Sequence, residues 1–123
     1  MGMLGAIFSS WFPSQAEENA AFGRVVTDQM PYLFAGAGAK LLPLYGPNRR
    51  ATGGVLVTAE LDDLRFQFTS FRGELCCYVV VLAEPIELHR LIQGLHWSSW
   101  SELDEYLRYR LPDLRAAVAE LGA

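Results

Sequence analysis

The chain has 123 residues, 51% of them apolar and 20% charged, a globular composition that excludes a disordered chain. At this length a single domain over residues 1–123 buries roughly two-thirds of the surface its unfolded chain exposes, so the core needs neither metal nor disulfide. Ten basic residues against fourteen acidic ones leave a net charge of −4; this excludes nucleic acid and anionic membranes as expected partners, because cationic side chains dominate binding to both.

The first thirteen residues are apolar, with Leu4, Ile7, Phe8, Trp11 and Phe12. They lack the basic start of a signal peptide and meet Pro13 too soon to span a bilayer. Too short for a stable helix alone, the segment must bury itself on its own domain, a second copy or a partner. Ile7, Phe8, Trp11 and Phe12 are therefore the candidate contacts of a homodimer or docking strap.

Ser14 and Glu17 have capping-box spacing, so a helix is predicted from near residue 15. Phe22, Val25, Val26, Met30 and Leu33 form its inward face, and Pro31 ends or kinks it. Gly36-Ala37-Gly38-Ala39-Lys40 superficially suggests a phosphate loop, but it leaves a helix and enters a strand, the reverse of what a P-loop requires. A helix C-terminus explains these glycines.

Lys40 to Tyr45 reads as a strand that Pro43 confines to an edge, followed by a loop holding the adjacent pair Arg49 and Arg50. Val55 to Glu60 is the next strand. After the turn at Leu61-Asp62-Asp63, Leu64, Phe66 and Phe68 alternate with Arg65, Gln67 and Thr69, the pattern of a half-buried strand. Arg72-Gly73 makes another turn, and the valine-rich run from Leu75 to Ala83 is a central strand. Within it Cys76 and Cys77 point to opposite faces and cannot pair with each other, which fits a reducing cytosol. Such short connections predict an antiparallel meander.

Pro85 suits a first helical position, with Ile86, Leu88, Leu91, Ile92 and Leu95 marking a helix to about Gly94. Ser99 and Glu102 form a second capping box before a helix through Trp100, Leu103, Tyr106, Leu107 and Leu111. Pro112 kinks that helix or starts a final one with Leu114, Val118 and Leu121. The fold class is α+β: a three- to four-stranded antiparallel meander sheet, one N-terminal helix and two to three C-terminal helices packed on one face.

Candidate chemistry is sparse. His89 and His96 lie seven residues apart, about two helical turns and too far for one metal ion, and no nucleophile signature accompanies them. Neither a metal, a cofactor nor a catalytic residue is assigned. Glu102, Asp104 and Glu105 read as a solvated helix start favoured by the helix dipole. The unusual local composition is Trp97-Ser98-Ser99-Trp100, since interfaces concentrate aromatics and arginine. Trp97, Trp100, Arg72, Arg49 and Arg50 are accordingly the candidate partner-binding residues.

Across the helix through Phe22 and Leu33, the meander around Leu64-Arg65-Phe66 and Arg72-Gly73-Glu74-Leu75, and the closing Leu103 to Leu114 segment, the chain resembles the small acidic immunity proteins of bacterial polymorphic-toxin systems. That resemblance implies a non-enzymatic cytosolic inhibitor that covers a toxin domain; it assigns no residue. In size and pI the chain also resembles the acidic, homodimeric α+β chaperones of bacterial secretion systems, but those return to strands where residues 86–121 here read as helices. A third reading, from a different class, is an enzyme or small-ligand site using His89 or His96 with Arg72 over the sheet. It requires a concavity on which those groups converge.

Overall fold

A computed structural model describes residues 15–42 and 54–122 of the chain. In α1 (Gln15–Gln29) the buried positions Asn19, Phe22 and Val26, continued by Met30, recur every three or four residues, so one stripe faces inward. Val25, expected on that stripe, is 44% exposed. One residue turns a helix by about 100°, and Val26 already occupies the inward direction.

Pro31 has no N–H to continue the ladder. A single π-helical turn follows (Tyr32–Gly36), closed by Ala37 N–H donating to the Tyr32 carbonyl at 2.7 Å. The two N–H groups after the proline go instead to a side chain 71 and 72 residues further on. Tyr32 N–H donates to Asp104 Oδ2 and Leu33 N–H to Asp104 Oδ1, each at 2.9 Å. Asp104, expected in solvent, is therefore buried. It completes the backbone hydrogen bonding of a distant turn.

The sheet has five antiparallel strands in sequential order, one more than the sequence analysis allowed. They are β1 (Lys40–Leu41), β2 (Val55–Leu61), β3 (Leu64–Phe71), β4 (Glu74–Val81) and β5 (Glu84–Glu87). Strand β1 pairs Leu41 with Ala59; the rest of the strand predicted to Tyr45 lies outside the described residues. Toward the other end of β2, Leu56 N–H donates to Asn19 Oδ1 of α1 at 3.0 Å. A helix side chain thus supplies an acceptor at the sheet edge, which explains the burial of Asn19.

Strand β5 corrects the helix predicted from Pro85. Its register pairs Val81 with Glu84, Val80 with Pro85 and Tyr78 with Glu87. The Val81–Glu84 pair closes a two-residue turn, so Pro85 falls at a position whose missing N–H would face away from β4. An edge strand tolerates proline there. The turn itself is unusual: Leu82 and Ala83 both lie in the left-handed region, at φ 52° and 70°, where glycine or asparagine is the ordinary occupant.

Helix α2 is a single turn (Leu88–Leu91), and after a connection over residues 92–99 the chain ends in α3 (Trp100–Gly122). Pro112 stays inside α3 on its exposed side, where the carbonyl it leaves unbonded can take water. All helices pack on the sheet face that carries Val57, Ala59, Leu64, Phe66, Phe68, Cys77 and Val79. Phe68 is the hub: it stacks on Phe66 at 6.0 Å and meets Trp100 edge-on at 5.6 Å. No described helix is long and apolar enough to cross a membrane.

Candidate functional site

The hairpin turn at Arg72 and Gly73, both left-handed at φ 52° and 83°, launches β4 with Glu74 exposed and Cys76 on the face away from the helices. Because β5 returns antiparallel and ends with Glu87 opposite Tyr78, the chain reaches His89 close to the level of Cys76. The connection after α2 then folds back across the same end of the sheet. Together they enclose an open hollow of about 590 Å³, lined by Gly73, Glu74, Leu75, Cys76, His89, Leu95, His96, Trp97 and Ser98. Both histidines of the chain are in it. Their convergence depends on β5, the element that the sequence analysis misread.

The His89 imidazole has a carboxylate beside it. His89 Nε2 meets Glu87 Oε2 at 2.9 Å, which orients that ring. Glu102 accepts the backbone N–H of Ser98 at 2.8 Å and its hydroxyl at 3.1 Å, while Ser99 Oγ accepts the Glu102 N–H at 3.1 Å. The predicted cap is thus present, with Glu102 reaching one residue further back than a capping box requires. The Ser98 bonds hold the Glu102 carboxyl below the usual carboxylate range, and nearby His96 acts in the same direction. The hollow therefore has carboxylates beside its wall.

Trp97 is half-buried and packs against the core, and its Nε1 is enclosed without a hydrogen-bond acceptor among the described residues. Leaving such a donor unpaired costs roughly 1–3 kcal/mol. Trp100 is 2% exposed, with Phe22 at 5.9 Å and Phe68 at 5.6 Å. Its expected role as a contact residue is corrected: a ring buried between two phenylalanines is core. Arg72 is exposed with its guanidinium 5.0 Å from the Phe71 ring centroid, next in sequence to Gly73 but outside the lining. Arg49, Arg50, Ile7, Phe8, Trp11 and Phe12 lie outside the described residues.

The two cysteines divide by environment. Cys76 is half-buried in the wall of the hollow, whereas Cys77 is enclosed in the core. Burial, reinforced by the neighbouring Cys76, pushes the Cys77 thiol far up, so its nucleophilic form is suppressed. Cys76 and His89 share the hollow without a hydrogen bond between them, so they do not constitute a preformed thiol–imidazole pair. No three His, Cys, Asp or Glu side chains among the described residues are grouped to hold a metal ion. A second concavity of about 390 Å³ lies between α1 and the β1–β2 edge, lined by Ala16, Asn19, Ala20, Gly23, Leu41, Leu42 and Val57. It offers no titratable group. No protein-family profile, curated protein or solved structure matches the chain.

Proposed function

We propose that this chain is a non-enzymatic protein-binding module that engages its partner through the hollow at the start of β4, with Trp97 as the anchoring aromatic. The observation that carries the reading is the place of Trp97: a half-buried indole in the wall of an open hollow, its N–H enclosed without an acceptor among the described residues. Aromatic anchors of this kind dominate interface energetics. The resemblance to immunity proteins names the partner class, a toxin domain of the same cytosol. Glu74, His89, His96 and Ser98 supply the polar rim.

The test is coexpression with the products of neighbouring genes, followed by affinity measurement on whatever complex forms. Trp97→Phe and His96→Ala are expected to weaken the complex at least tenfold, while Asp62→Asn, which removes the negative charge of the exposed Arg115–Asp62 pair at the opposite end of the sheet, leaves it unchanged. Equal affinities for all three variants would overturn the reading. The convergence of both imidazoles favours a second reading, a small-ligand site in the same hollow. That reading predicts saturable binding of a metabolite with no protein partner.

A further inference from the structure

We propose that the occupant of the hollow is a basic side chain, an ammonium or guanidinium presented by the partner; this rests on the binding reading above. Among the nine lining residues Glu74 is the one carboxylate, and none is lysine or arginine. Two more carboxylates stand beside lining residues: Glu87 against His89 at 2.9 Å, and Glu102 against the Ser98 N–H at 2.8 Å. Arg72 and Arg90, sequence neighbours of lining Gly73 and His89, are exposed and outside the lining. Three carboxylates against these two guanidiniums leave the wall and its immediate neighbours with a negative balance when the imidazoles are neutral.

The imidazoles and the indole ring agree with that sign, while the enclosed Trp97 N–H, a donor, takes no part in holding a cation. A neutral imidazole keeps one acceptor nitrogen, which a guanidinium or ammonium N–H can use. Indole is the aromatic that holds a cation most strongly, and Trp97 lines the hollow. A carboxylate ligand would meet Glu74 as a like charge, and an apolar one would strip water from Glu74 with nothing in return. The acidic balance of the whole chain, −4, steers a cationic partner in the same direction.

The experiment titrates the ¹⁵N-labelled full chain with N-acetyl-arginine amide, N-acetyl-glutamine amide and N-acetyl-glutamate amide. The Trp97 indole N–H signal, assigned by its loss in Trp97→Phe, and the Gly73 amide report occupancy. The arginine probe is expected to shift both signals with millimolar affinity, the other two to leave them in place, and Glu74→Gln to weaken the arginine probe about threefold. Preference for the glutamate or glutamine probe, or arginine binding unaltered by Glu74→Gln, overturns the assignment of charge while the binding reading stands. Failure of all three probes, with Trp97→Phe still weakening the partner, overturns it equally. Partner affinity insensitive to every variant in the hollow would instead overturn the binding reading.

Discussion

Replacing Asp104 with alanine removes the acceptor for two consecutive backbone N–H groups, Tyr32 and Leu33, each held at 2.9 Å. Leu33 is fully enclosed, so its N–H has no access to water once the carboxylate is gone, and an orphaned buried donor costs about 1–3 kcal/mol. Tyr32 is half-buried, and water recovers part of its loss. Hydrogen bonds to a charged acceptor contribute about 1.5–3 kcal/mol each, but removing the carboxylate also removes its own desolvation cost. The expected net loss is about 3 kcal/mol, a large share of the roughly 5–15 kcal/mol that holds a domain of this kind together. With a urea slope of about 1.5 kcal/mol per molar, the unfolding midpoint moves down by about 2 M. Asp104→Asn retains one acceptor oxygen and should lose about half as much. In hydrogen exchange the Leu33 amide, protected in the parent, should open in the alanine variant more than the strand amides of β3 do. A midpoint shift below about 0.3 M, with Leu33 still protected, would refute the claim that Asp104 fastens the turn.

Three further predictions concern the turns, the thiols and the acid limb of stability. Leu82→Asn with Ala83→Gly places the ordinary residues in a turn whose two φ values are 52° and 70°, and should raise stability by about 1–2 kcal/mol; a lower urea midpoint would show that the leucine and alanine are not strained. An aromatic disulfide reagent should titrate at most one thiol in the folded chain and both in denaturant, because Cys77 is enclosed and its thiol pushed up by burial; two native thiols would contradict the burial. Glu102 has its carboxyl held down by the Ser98 bonds, so its contribution is present above the ordinary carboxylate pKa and is lost as pH falls through and below it. Glu102→Gln should therefore flatten the decline in stability on acidification, and an unchanged acid limb would argue against the Ser98 bonds.

Periodicity made α1 and the three central strands legible, because burial imposes it directly. Phe22, Val26, Met30 and Leu33 sit at helical intervals, and Leu64, Phe66 and Phe68 at alternate ones. Strand β5 had no such signal. Its Glu-Pro-Ile-Glu is a poor strand sequence, and Leu82-Ala83 contains no turn-forming residue. Pairing with Val79 and Val80 of a central strand overrides both local preferences. The site suffered from the same error, since a helix from residue 86 separates His89 and His96 along its length, whereas a returning strand brings both to one hollow. Asp104 was hidden for another reason. Three carboxylates in the first turns of a helix are indistinguishable by spacing, and only the chain 71 residues earlier selects one of them. Trp97 could be singled out by type, but the enclosure that separates it from Trp100 is a property of the packed domain.

The Asp104 latch also has a consequence for how the chain is made. A ribosome delivers α1, the π turn and the whole meander before residue 104 emerges, and until then two amides near the start have no partner to close on. The turn after α1 thus lacks its side-chain acceptor during synthesis until a carboxylate 71 residues after Leu33 is made. Order of manufacture and order of completion run in opposite senses, and the final helix is the piece that closes the turn after the first one.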